Sequence, residues 1–282
     1  MDFGGCSMGE KRKRGDRPTG SFVVTDATAP PSTYCVTLAY DGKAFNGYQA
    51  QEKTPPVRTV QATLEDAIKR TTGEVLRVRG ASRTDRGVHA RGQEAAFEST
   101  VVDASVLLRA INNRLPDDVA ITRLVKVADG FDPRKASTHK CYSYRIFTGE
   151  IRQVLGRDQA WQVCKPLDVA LMREAANLLE SSTPRDCSAF TPTRRLEEDM
   201  STLCAVRSIE LASHEKEHEL TITFQGDRFL YRMVRNMVGL LVHVGLHKKT
   251  LEDVQAMVDA NERIESPGAP AHGLTLEWIR FE

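Results

Sequence analysis

A chain of 282 residues is long enough for one large or two modest domains with a substantial core. Its 39 Lys and Arg against 38 Asp and Glu leave a formal charge of +1, so nucleic-acid binding cannot be read from overall charge and must rest on local clusters. No apolar run reaches bilayer-spanning length and the N-terminus lacks an apolar signal core, which predicts a soluble, intracellular protein with no membrane partner.

Residues 1–33 are rich in Gly, Pro, Ser and Thr, carry Lys11-Arg12-Lys13-Arg14 and lack apolar periodicity. They read as a disordered basic tail, either a solvated charge run or an RNA or nuclear signal. Tyr34 to Tyr40 alternates as a strand and ends at the turn signal Asp41-Gly42. After a loop mixing aromatic, amide and glycine residues, Thr59 caps a helix running to Arg70, with Val60, Leu64, Ala67 and Ile68 at core spacing. Val75 to Arg79 alternates as a second strand, and Gln93 to Phe97 reads as the returning one.

The stretch between them is Gly80-Ala81-Ser82-Arg83-Thr84-Asp85-Arg86-Gly87-Val88-His89-Ala90. The predicted hairpin tip carries Arg83, Asp85, Arg86, His89 and Arg91, with Gly80 and Gly87 available for turns that a side chain would forbid. Five arginines between positions 77 and 91 suit phosphate. A carboxylate among them can serve as nucleophile, general base or electrostatic anchor. It can equally cap a turn and pair with a neighbouring Arg for structure alone.

Asp103 caps a helix stopped by Pro116, and Val119 to Lys126 is the next strand. The order over 34–132 is therefore β-α-β-β-α-β, and it repeats in 133–282. There, Cys141 to Phe147 is a strand, Asp168 caps a helix, and Cys204 to Leu211 forms a hairpin with Leu220 to Phe224. A helix from Phe229 to Val244, another from Leu251 to Ala260 and a last strand from Leu274 to Phe281 follow. The predicted fold class is α+β: two ferredoxin-like (split βαβ) halves forming a mainly antiparallel sheet, with helices on one face and a central basic cleft. Residues 181–202 read as a long polar loop.

In the second half, Arg134, Lys135 and Lys140 run into Tyr142-Ser143-Tyr144. Aromatic stacking and phosphate neutralisation are the tools for holding an extruded nucleotide, although a Tyr pair also suits a sheet core. On the helix from Phe229, the residues Arg228, Tyr231, Arg232 and Arg235 recur opposite an apolar side, a pattern that also fits solvated surface.

Two absences shape the expected chemistry. His214-Glu215-Lys216-Glu217-His218 satisfies H-E-x-x-H, yet its flanks are strand-like. In extended chain the two imidazoles would lie roughly 13 Å apart, so no metal site is expected. Six widely spaced cysteines without a C-x-x-C pair read as reduced thiols. Neither a P-loop nor a G-x-G-x-x-G fingerprint occurs, and no cofactor is expected.

Arg83-Thr84-Asp85-Arg86-Gly87-Val88-His89 resembles the catalytic motif of the TruA-type tRNA pseudouridine synthases. Tyr40-Asp41-Gly42, Phe45, Gly47, Gln49 and Gln51 resemble that family's first motif, with Tyr48 where a Trp is common. Arg235-Asn236-Met237-Val238-Gly239 and Gly273-Leu274 resemble two further motifs, and the resemblance runs from about Tyr34 to the C-terminus. It implies a redox-neutral isomerisation of uridine to pseudouridine in the anticodon stem-loop of tRNA, by a homodimer. Asp85 would be the catalytic carboxylate, Arg235 its partner across the cleft, and Tyr142 the aromatic packing against the base. Arg83, Arg86, His89, Arg91, Arg134, Lys140, Arg228, Arg232 and Leu274 would hold the RNA or line the pocket, with His89 also read as loop support. The rival readings are a non-catalytic module of two RRM-like sheets clamping structured RNA, and an N-glycosidase that releases free uracil.

Overall fold

The computed structural model describes residues 30–101, 103–192, 201–214, 218–259 and 268–281. The basic tail and the middle of the H-E-x-x-H stretch lie outside the described residues. The first half contains β1 (Ser32–Tyr40), α1 (Val60–Thr72), β2 (Arg79–Gly80), β3 (His89–Ser99), α2 (Ala104–Asn112) and β4 (Val119–Lys126). The second begins with a single turn α3 (Pro133–Ala136) and continues through β5 (Ser137–Thr148), β6 (Trp161–Val163) and α4 (Val169–Leu179). The short β7 (Arg185–Asp186) and β8 (Leu203–Cys204), the hairpin β9 (Val206–His214) and β10 (Glu219–Gly226), α5 (Met233–Gly245), α6 (Leu251–Asp259) and β11 (Leu274–Phe281) complete it.

Helix starts follow the capping chemistry. The Thr59 side chain accepts from the Ala62 N–H, Asp103 from the N–H groups of Ser105 and Val106, and Asp168 from Leu171 N–H, each satisfying donors the helix leaves free. Gly73 ends α1 in the left-handed conformation. At α6, Thr250 and Asp253 exchange side-chain and backbone hydrogen bonds in a capping box.

Among the described residues, nine strands form one sheet along the path β4-β1-β3-β11-β5-β10-β9, with β2 beside β3 and β6 beside β5. Pairing is mainly antiparallel. The parallel exceptions are β5 with β6 and the junction between the two halves, where Thr275 and Leu276 of β11 meet His89 and Ala90 of β3. One contiguous core runs through both halves, from Leu38, Leu64, Ile68 and Ile111 to Met172, Ile222, Phe224, Met237 and Leu241. Each such side chain contributes about 1.5–3 kcal/mol by leaving water.

Four expectations need correction. The strand predicted from Val75 is confined to Arg79–Gly80, because only these two find partners on β3; Val75 is 82% exposed. The returning strand starts at His89 rather than Gln93, so His89 and Arg91 stand on β3 and not at a loop tip. The helix expected from Phe229 starts at Met233, after Arg232 adopts a left-handed φ of 61°. That kink leaves Arg228, Tyr231 and Arg232 on the approach to α5, where they form no helical stripe with Arg235. Finally, the loop predicted over 181–202 is partly ordered, since β7 pairs with β8 and Ser188–Phe190 forms a helical turn; 193–200 lie outside the described residues. The expected hairpin at His214 is present, with Glu219 opposite His214.

Candidate active site

Asp85 sits on an eight-residue connection between β2 and β3, Ala81 to Val88, whose backbone is hydrogen-bonded at Ala81, Ser82, Thr84, Asp85 and Val88. Ala81 N–H donates to Glu94 O at 2.8 Å, and Gln93 Nε2 donates to Ser82 O at 2.8 Å. Thr84 O accepts from Tyr48 N–H at 3.1 Å, and Asp85 O from Val88 N–H at 3.2 Å. The Thr84 hydroxyl lies 2.8 Å from that of Tyr40. Gly87 has a φ of 81°, the left-handed turn the sequence provides for. Gly80 serves a different purpose: a Cβ there would stand 2.3 Å from the Tyr48 ring.

Across the sheet, Arg235 on the first turn of α5 donates from Nη1 to Asp85 Oδ2 at 3.0 Å. Both side chains are largely shielded, 14% exposed for Arg235 and 19% for Asp85, so the attraction is less screened than at a free surface. The guanidinium is itself held. Its Nε donates to Ala269 O at 2.8 Å, while the Arg235 carbonyl accepts from Ala269 N–H at 2.9 Å. Asp85 Oδ1 has no hydrogen bond among the described residues, which leaves one carboxylate oxygen available.

Tyr142 completes the group. Its hydroxyl lies 3.2 Å from Ser82 Oγ on the same loop, and its ring meets Phe229 edge-on at 5.4 Å. Burial, partly offset by the Ser82 bond and reinforced by the charge of Asp85, pushes its pKa up to about 12, so the phenol stays protonated. Tyr144 acts as support, donating to Pro270 O at 2.8 Å and pairing on the ladder with Leu274, which is buried.

The remaining sequence-predicted residues divide. Arg83 and Arg86 flank Asp85, are exposed and make no ion pair among the described residues. His89 is buried and bridges two segments: its Nδ1 accepts from Gly42 N–H at 3.1 Å and also lies 3.1 Å from Asp41 Oδ1, while its Nε2 lies 3.1 Å from Asp158 O. Lys140 donates to Ser137 Oγ; burial lowers its pKa, and nearby Arg228 and Arg134 lower it further, so these three form one basic group. Arg232 is exposed and lies over the Tyr231 ring. Arg91 is not brought to the site. It pairs with Glu277 at 2.7 Å, and Glu277 also accepts from Ser143, which points to the opposite sheet face from Tyr142.

Several contributors escaped the sequence reading. Ser82, Gln93 and Tyr40 set the loop, Phe229 sets the Tyr142 ring, and the Ala269 carbonyl orients Arg235. Ser82 lay in the Gly80 to Ala90 stretch just ahead of the motif, and Tyr40 within the other matched segment. Nothing in the sequence marks a backbone carbonyl 34 residues from its partner.

A carboxylate presented on a rigid loop, clamped by a guanidinium and flanked by a buried phenol and exposed arginines, defines a class of site suited to chemistry on a polyanion-borne group. Comparison with known proteins names the class. The family model for tRNA pseudouridine synthase matches residues 37–134 and 184–282. A tRNA pseudouridine synthase A of Thermosipho africanus is 38% identical over 251 residues, covering 88% of this chain and 99% of the relative. The enzyme of that name from Geobacter sulfurreducens is 39% identical over 260 residues, covering 88% and 99%, and that of Myxococcus xanthus 38% over 250, covering 87% and 91%. The chain belongs to the tRNA pseudouridine synthase family.

Proposed function

We propose that this chain isomerises uridine to pseudouridine in the anticodon stem-loop of tRNA, with Asp85 as the catalytic carboxylate. The observation that carries the reading is the shielded Arg235–Asp85 ion pair beside Tyr142, on the motif that resembles the family's catalytic segment. In this reading the C1′–N1 bond breaks, the base turns, and a C1′–C5 bond forms. C5 loses a proton and N1 gains one, so no oxidant or reductant is consumed. Arg235 fixes one carboxylate oxygen and leaves the other to meet the nucleoside. The uridine must leave its stack first; Arg83, Arg86 and the Tyr142 ring are placed to hold it outside, with Leu274 beside Tyr144 on the pocket wall. Lys140, Arg134, Arg228 and Arg232 extend the basic surface toward the RNA backbone.

The same reading takes 34–132 and 133–282 as two split βαβ halves around a basic cleft. Strand orders β4-β1-β3-β2 and β11-β5-β10-β9 support it, since each places the fourth strand beside the first and the third beside the second. The substrate places the enzyme inside the cell, and a homodimer is the state the family resemblance implies; light scattering measures it. No helix among the described residues is long and apolar enough to cross a membrane.

Carbodiimide labelling of transcribed tRNA before and after incubation tests the function. The expected product is a mass-neutral pseudouridine at anticodon stem-loop positions, abolished in Asp85→Asn with RNA binding retained. Binding without product favours a module, and release of free uracil an N-glycosidase.

A further inference from the structure

Beside the catalytic loop lies a hollow of about 330 Å³, lined by Lys43, Arg86, Gly87, Arg157, Asp158, Ala271 and His272. Four separate segments converge there: the turn after β1, the Asp85 loop, the connection between β5 and β6, and the run entering β11. The walls are tied together. His89 joins Gly42 N–H to Asp158 O, Lys43 Nζ holds Asp158 Oδ2 at 2.7 Å, and Ala271 packs 3.4 Å from where a Gly87 Cβ would stand.

Its charge is unbalanced. Three permanent cations, Lys43, Arg86 and Arg157, face one carboxylate, Asp158, and His272 adds a further imidazole. Arg86 and Arg157 are exposed and make no ion pair with any described residue. A larger hollow of about 500 Å³ beside α1 contains Arg58, Arg70 and Arg114 but differs in kind. There Arg58 is bound in a fork to Asp118, Arg70 to Asp66 and the Arg114 carbonyl, and Arg114 to the Ala110 carbonyl. Those guanidiniums are committed to the fold, whereas the hollow beside Gly87 holds uncommitted ones.

We propose that this hollow binds a backbone phosphate of the RNA, one belonging to a nucleotide adjacent to the extruded uridine, through Lys43, Arg86 and Arg157. The proposal rests on the reading of Asp85 as the catalytic carboxylate acting on tRNA, because Arg86 and Gly87 directly follow Asp85 in the chain. A planar guanidinium matches phosphate oxygens in pairs, and Lys43 can exchange Asp158 for a phosphate oxygen without losing a counter-charge. Seizing a neighbouring phosphate while the base swings out would hold the flipped conformation by its backbone. His89 holds the walls in register by joining Gly42 N–H to Asp158 O.

The experiment pairs a protein variant with a change in the RNA. A stem-loop RNA carries a single uncharged methylphosphonate at each phosphate flanking the target uridine in turn, and Kd is measured against wild type and Lys43→Ala/Arg157→Ala. Wild type should lose about tenfold in affinity at one position, the double variant should bind unmodified RNA about tenfold more weakly, and that position should cease to matter in the variant. The slope of log K against log salt should fall by about one phosphate equivalent in the variant. An equal penalty in both proteins at every position, or no sensitive position in wild type, overturns the proposal. Pseudouridine formation by wild type on the unmodified RNA is scored separately, so failure of the catalytic reading is distinguished from failure of the phosphate site.

Discussion

The two hairpins, β2 with β3 and β9 with β10, are built in opposite ways. In the second half, β9 and β10 stay paired from Glu219 opposite His214 to Gly226 opposite Val206, with one irregularity at the Gly226 end, so the hairpin keeps a ladder along its length. In the first half, β2 meets β3 only through Arg79 and Gly80, and Ala81 to Val88 are released from pairing. Their polar groups are met instead by Tyr48, Gln93, Glu94 and Tyr40. A ladder aims alternate side chains up and down at fixed spacing, whereas a loop braced by tertiary bonds can aim one carboxylate across the sheet at a chosen partner. Giving up regular pairing is what frees the Asp85 loop to aim its carboxylate at Arg235.

The sharpest way to break the comparison is Asp85→Asn, which keeps the shape of the loop and removes its charge. Single-turnover pseudouridine formation should fall by about a thousandfold or more, with RNA affinity changing little. Arg235→Lys comes next. A lysine has one charged nitrogen and cannot meet Ala269 O and Asp85 Oδ2 together as the guanidinium does, so the rate should drop by about a hundredfold with the fold intact by circular dichroism.

A smaller effect tests the bracing alone. Gly42 has no room for a side chain, since a Cβ there would stand 2.0 Å from Val88 O. Gly42→Ala should displace the end of the Asp85 loop and cost about tenfold in rate of pseudouridine formation, although neither Asp85 nor Arg235 is altered. The mildest test falls on the other hairpin. Arg145 bonds Glu219 through Nε at 2.7 Å and Nη2 at 2.6 Å and so holds its carboxyl below the ordinary 4.5. A depressed folded value stabilises above the unfolded one and is lost as pH falls through it. Glu219→Gln should therefore lower stability by about 1–2 kcal/mol at pH 7 in urea melts, with the gap closing below pH 4.5, and should leave the rate unchanged.

Much of this was legible in the chain. Thr59, Asp103 and Asp168 cap their helices because a short polar side chain ahead of an apolar period answers donors within three residues. The alternation of β1 and β10 marked their buried faces, and the motif around Asp85 marked the loop. Where the prediction failed, distant partners decided. Val75 to Val78 have a strand's alternation but no neighbour to pair with, and the start of α5 yields to the turn that places Phe229 against Tyr142. Arg91 belongs to the arginine cluster in sequence but faces Glu277 in space.

What the sequence determined by itself is local: helix caps, strand periodicity, the turn at Gly87, and the identity of the one carboxylate among arginines. What only the tertiary structure decided is who meets whom, namely Arg235 with Asp85, Ala269 with Arg235, and four segments around the hollow beside Gly87. The physical reason is range. Capping and periodicity act over one or two turns of chain, whereas a 3.0 Å ion pair between residues 150 apart exists only after β11 has joined β3 and brought the two halves into one sheet.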